Sequence, residues 1–235
     1  MDPFKILEII IYIIKAISFA FGIYGNYSLI TIYRKKNLKD RFNGLMLLLS
    51  SCAMTCLSLH LVFFICSFFI KTTSTPYLTL VFLSESPFRG IIFSTVAVAT
   101  ERYLVFCLGK NTDKYPFKWT LGLIGGLAVL LSLPQPYWNK SCSVYYTTTT
   151  IFNFICVGGI PSVILLFVNK ELYQKLKICK NELKSSQFSS QKTKEAIEKS
   201  IFRARLSILI ALTFVLCQTL YWIPRLVSFT WINEY

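Results

Sequence analysis

One histidine, His60, and no CxxC pair occur among the 235 residues of this chain, although it holds eight cysteines. Cys/His metal spacing is therefore missing, and a lone histidine in an apolar run reads as a packed or hydrogen-bonded side chain rather than a ligand. Neither a glycine-rich phosphate loop nor a Ser/His/Asp set is present, so an enzyme reading has no group to carry it and no cofactor is implied. Acidic residues are few, 11 against 25 basic ones, and none falls between residues 41 and 84. The apolar residues do not alternate with polar ones, which excludes barrel strands. An internal repeat of the kind that builds inverted-repeat transporters is also missing.

What is present is apolar mass. The chain is 54% hydrophobic and 16% aromatic, with a mean hydropathy of +0.54. These residues come in long runs rather than a narrow helical stripe, the pattern of membrane-crossing helices. The expected fold is all-α, a polytopic transmembrane helix bundle with six spans at 9–33, 43–70, 88–107, 118–137, 148–169 and 206–231. The first run is too long for a signal peptide and passes into Arg34, Lys35 and Lys36 without a small-residue cleavage site.

Charge sets the orientation. Residues 34–41 carry five Lys/Arg, 102–118 carry four and 170–205 carry ten, so 19 of the 25 basic residues lie on one side. The positive-inside rule makes that side cytoplasmic and the N-terminus extracellular, and a nucleic-acid patch is the weaker reading. Asn139-Lys140-Ser141 is a glycosylation sequon on the outer side, whereas Asn26-Tyr27-Ser28 falls within the first span. The short connections leave no room for a second domain, so residues 1–235 read as one transmembrane domain with 170–205 as a basic cytoplasmic loop.

Glu101-Arg102-Tyr103 sits near the cytoplasmic end of span three, either as the polar edge of a helix with a local ion pair or as a working part. Gly25-Asn26 lies late in span one, where an amide must find partners on neighbouring helices. Trp119 opens span four. Within Tyr221-Trp222-Ile223-Pro224 the proline removes a backbone hydrogen bond and kinks span six, and a large ring beside a kink is a plausible moving part.

These residues, in this order on these spans, resemble the rhodopsin-like class of G-protein-coupled receptors over nearly the whole chain. Gly25-Asn26 resembles the span-one motif, and the stretch 94–106 with Glu101-Arg102-Tyr103 the span-three signature. Trp119 resembles the span-four tryptophan, Pro161 the span-five proline, and Tyr221-Trp222-Ile223-Pro224 the span-six switch. The resemblance implies a plasma-membrane receptor that passes binding of an extracellular ligand to a heterotrimeric G protein. Arg102 would be held by Glu101 in the off state and meet the G protein on activation, with Trp222 and Pro224 as hinge. The basic stretch 170–205 would face the G protein and the anionic inner leaflet, or serve only as a topology signal.

The departures from that pattern are specific. Ala53 stands where the family has a sodium-binding acid. Cys142 fits the outer-loop half of the family's disulfide, but Tyr77 stands near the span-three partner position and Cys66 would have to substitute. Asn169 replaces the usual span-five tyrosine. Arg203-Ala204-Arg205 replaces the acid that often opens span six, which implies a weaker off-state lock and ligand-free signalling. The inner loop between Arg102 and Trp119 is short. The seventh span expected of the fold is not in this sequence, which fits either a fragment or a six-span product.

A ligand pocket would involve Ser84, Glu85, Phe88 and Arg89 at the start of span three. Glu85 and Arg89 are spaced for an ion pair on one helix face, though they could instead read a charged ligand. The competing reading makes 71–87 an outer loop ended by Pro87. Two rival functions stay open. A six-span channel or transporter would show mid-membrane charges and broken helices, for which Gly158-Gly159 with Pro161 is the hint. A non-signalling truncated receptor would act as partner to a full-length relative.

Overall fold

The computed structural model describes residues 3–35, 40–66, 75–110, 112, 117–132, 151–185 and 191–232. Helix is the natural form for such runs, because lipid offers no partner to a backbone N–H or C=O and a helix satisfies them within itself. Six helices account for nearly all the described residues, and none of these forms a strand. They are α1 (Pro3–Arg34), α2 (Arg41–Cys66), α3 (Thr75–Phe106), α4 (Phe117–Ser132), α5 (Ile160–Ser185) and α6 (Gln191–Ile232). A π-helical stretch, Phe154–Gly159, leads into α5.

Among the described residues, three stretches are long and apolar enough to cross a bilayer: Arg41–Cys66, Ile151–Cys179 and Glu195–Thr219. The shorter Phe117–Ser132 is also apolar. Leucine, isoleucine and phenylalanine side chains stand exposed along these helices, among them Phe21, Leu123, Leu130, Phe167 and Leu216. Lipid is the solvent that accepts such surfaces.

Two sequence expectations need correction. Residues 75–87 belong to α3 rather than to an outer loop, and Pro87 is inside the helix rather than at its end. Where the stretch 170–205 is described it is helical, with α5 continuing to Ser185 and α6 beginning at Gln191. Lysine, glutamate, glutamine and leucine are good helix formers, so charge did not stop the helices where hydrophobicity stopped.

The chain divides into two compact units, Met1–Ile91 with Gly122–Lys140, and Ile92–Leu121 with Ser141–Tyr235. In the first, α1 packs on α2. Gly22 makes the approach possible, since a Cβ there would lie 2.7 Å from Leu57 Cδ1. Gly90 meets Cys52 Sγ in the same way at 3.0 Å. Asp40 starts α2: its carboxylate accepts from the Phe42 N–H at 3.1 Å and its carbonyl from Gly44 at 3.2 Å. A short acid at this position satisfies donors that the first helical turn leaves over.

In the second unit α5 packs on α6. The core comprises Leu165, Val168, Leu172 and Leu176 from α5, Ile201, Ala204 and Ala211 from α6, and Ala99 from the C-terminal half of α3. Tyr103, Phe106 and Cys107 pack against it. The α5 residues recur at helical spacing, so one face is buried while Phe167, Lys170 and Tyr173 stay exposed.

Candidate functional site

The C-terminal end of α3 carries the most concentrated polar chemistry among the described residues of the second unit. Consecutive residues on a helix point about 100° apart, so Glu101 and Arg102 do not face each other by helix geometry alone. The arginine bends back instead. Its Nε donates to one carboxylate oxygen of Glu101 and its Nη2 to the other, a bidentate pair. Both residues are buried, Glu101 at 4% exposure and Arg102 at 5%. Arginine suits this role because its planar fork matches a carboxylate, which a lysine ammonium does not.

A third residue closes the group. Gly109 takes a left-handed conformation, φ 60°, just past the end of α3. The N–H of Lys110 then reaches back to the carbonyl of Leu104 at 2.9 Å, and that of Cys107 bonds Tyr103 at 2.9 Å. Glycine takes positive φ without steric cost, so the helix ends here and the chain reverses. The reversal returns Thr112, itself buried, to Glu101, and its hydroxyl donates to Oε1 at 3.2 Å. Tyr103, half-buried on the next position, packs into the α5–α6 core. The result is a buried carboxylate holding an arginine and a loop hydroxyl together.

In this arrangement the carboxylate is matched by the guanidinium and its hydrogen bonds are made. Taking away one member leaves a buried charge without its counterpart, which is far costlier than removing both.

Other expected site residues fall elsewhere. Glu85 and Arg89 form an ion pair in the first unit, 3.8 Å between Oε2 and Nη2, with Arg89 only 1% exposed and Phe88 half-buried beside them in sequence. The amide of Asn26 does not reach a neighbouring helix; it donates to the carbonyl of Gly22 in its own helix at 2.8 Å. A Cβ on Gly25 would meet nothing within 4 Å, so the close approach is at Gly22, one turn earlier. Trp119 is 73% exposed at the start of α4. His60 is tied locally, its Nδ1 donating to the Cys56 carbonyl at 2.9 Å. Among the described residues no group of three or more His, Cys, Asp or Glu could hold a metal ion. Asn139 and Cys142 lie outside the described residues, as do the side chains of Ser84, Tyr221, Trp222 and Pro224, whose backbone is helical.

Pro161 is buried just after the π turn. Having no N–H, it leaves a carbonyl of the preceding turn without its α-helical partner, and Gly158-Gly159 widen the backbone's choices there. A π turn is the local outcome, a feature often found where helices do work. Sequence reasoning did not single out Thr112, Asn153, Ser207 or Gln218, all of which are buried. Ser207 and Gln218 could have been found from the helical spacing they share with Ala204 and Ala211. Thr112 gave no signal, since it depends on the reversal at Gly109.

No protein-family model matches the chain, and no curated protein matches it at a significant level.

Proposed function

We propose that this chain is the transmembrane domain of a receptor that passes binding of an extracellular ligand to a heterotrimeric G protein on the cytoplasmic face. The observation that carries the reading is the buried Glu101–Arg102 pair at the C-terminal end of α3, with Thr112 folded onto it. An acid-arginine pair sealed from water has no structural need to exist, since apolar residues of similar volume would serve stability as well or better. A pair that must open on a signal gives it a purpose. Residues 101–103 would engage the G protein, and the exposed Lys170, Lys175, Lys177, Lys199 and Arg205 would meet the anionic inner leaflet or the G protein itself. Ligand binding would bias the equilibrium between closed and open states from the outer halves of the helices, near Glu85, Phe88 and Arg89. Pro161, Tyr221, Trp222 and Pro224 would be the moving parts.

The test is agonist-independent signalling in transfected cells at matched surface expression. Glu101→Gln should raise second-messenger output above the unaltered chain, and Arg102→Ala should bring it to the level of empty cells. Output indistinguishable from empty cells for the unaltered chain and for Glu101→Gln alike would overturn the reading.

The π turn gives a channel or transporter its one specific support, because such proteins place interrupted helices at their sites. A tracer flux or current that requires this chain, and that is lost when Gly158 and Gly159 are replaced by leucine, would favour it.

A further inference from the structure

Polar side chains on these helices usually find their partner within one turn. Ser28, Thr31, Ser132 and Thr219 each donate to the carbonyl four residues back, at 2.9, 3.0, 2.7 and 2.8 Å, and Asn26 does the same. Such bonds are the default for a hydroxyl in an apolar helix. Asn169 on α5 and Ser207 on α6 do not follow it. Both are buried, at 5% and 1% exposure. The Oδ1 and Nδ2 of Asn169 and the Oγ of Ser207 have no hydrogen-bond partner, a condition that no other described side chain of α5 or α6 shares.

Their positions are linked. Asn169 lies on the buried stripe between Leu165 and Leu172, and Ser207 on that between Ala204 and Ala211. The helices pack on each other and are connected through residues 186–190, so as neighbours joined by a short connection they run antiparallel. Counting equal numbers of residues away from the middle of the connection, Leu172 falls level with Ala204, Asn169 with Ser207 and Leu165 with Ala211, and Ile201 lies one residue past the level of Leu176. The two unsatisfied residues therefore share one level of the seam, with apolar levels on either side. An amide offers both a donor and an acceptor, and a hydroxyl does too, so the two are chemically complementary.

We propose that the α5–α6 hairpin has a second arrangement, in which a small turn of α5 about its axis closes a hydrogen bond between the Asn169 amide and the Ser207 hydroxyl. The π stretch Phe154–Gly159 is the compliant element that takes up the turn, because its wider ladder can tighten toward α-helical bonding without breaking the helix. The described arrangement packs the leucine levels and leaves the polar level unsatisfied; the second satisfies the polar level and relaxes the leucine contacts. Two discrete packings of one interface, each with a different debt, make a two-state device. This inference does not depend on the receptor reading, since it uses only the geometry of the hairpin.

Electron–electron distance measurement on the full chain tests it. Spin labels are placed at the exposed Lys177 and Lys199 through an encoded keto amino acid, so the native cysteines stay. The unaltered chain should give two distance components. Ser207→Ala and Asn169→Leu should each leave one, and Ser207→Thr, which keeps a hydroxyl, should give two again. A single component in the unaltered chain would overturn the proposal, since a bridging water in a static seam predicts that result. Two components that persist in Ser207→Ala would overturn it as well. Should Asn169→Leu fail to fold, the serine pair of variants still decides.

Discussion

At the scale of single residues, Glu101 shows how much one carboxylate can organise. It accepts from two nitrogens of Arg102 and from the hydroxyl of Thr112, all in a site closed to solvent. Hydrogen bonds to a charged group contribute roughly 1.5–3 kcal/mol, and a buried pair broken from one side loses about 3–5 kcal/mol. Thr112→Val should therefore cost the smaller amount and Glu101→Ala the larger, read as thermal midpoints of the purified chain in detergent. A double-mutant cycle should show that Thr112→Val adds little once Glu101 is gone, because the two share one bond. Full additivity would mean that the hydroxyl stabilises something else. The arginine-glutamate pair was legible in the sequence as neighbours near the end of an apolar run. Its closure was not, because adjacent helical positions diverge and only the bend of a long side chain brings the groups together.

At the scale of elements, the decisive features are where helices start and stop. Asp40 opens α2 and Gly109 closes α3. Asp40→Ala removes the acceptor for the first-turn donor and should cost about 0.5–2 kcal/mol. Gly109→Ala forces a Cβ into the left-handed region at roughly 1–2 kcal/mol, and it should also weaken the Thr112 contact by misdirecting the returning chain. Comparing Gly109→Ala with Gly109→Asn separates strain from direction, since asparagine tolerates this conformation better; a similar loss in both would argue against the backbone explanation. Helix ends in the basic region were the least legible. Hydrophobicity falls away at Lys170, yet α5 runs on to Ser185, because helix propensity and intrahelical hydrogen bonds outlast the apolar stripe. Pro87 misled in the opposite sense: a proline inside a long helix costs one hydrogen bond, which the turns around it can absorb.

For the molecule at large, lipid as solvent explains the broadest property of the described residues: many large apolar side chains stand exposed along the helices. The proposed orientation rests on the positive-inside rule applied to the clustering of basic residues at 34–41, 102–118 and 170–205. That orientation makes a prediction about Asn139. Expressed in a cell with a secretory pathway, the chain should carry one glycan there, seen as an endoglycosidase-sensitive shift in gel mobility that Asn139→Gln abolishes. An unshifted band in both would reverse the orientation or place that segment on the membrane.

Taken alone, the sequence determined that the chain is helical and apolar enough to enter a bilayer, because both follow from composition and run length, which need no partner. It also marked Glu101, Arg102, Glu85 and Arg89 as charges in places where charge is costly, and the structure pairs each acid with its arginine. Only the tertiary structure decided that Thr112 returns to Glu101, that Gly22 rather than Gly25 admits the neighbouring helix, and that Asn169 and Ser207 are buried without a hydrogen-bond partner. Each of these depends on how far a backbone turns or how closely two helices approach. Those are distances between residues remote in the chain, and residue type along a single strand of sequence does not encode them one position at a time.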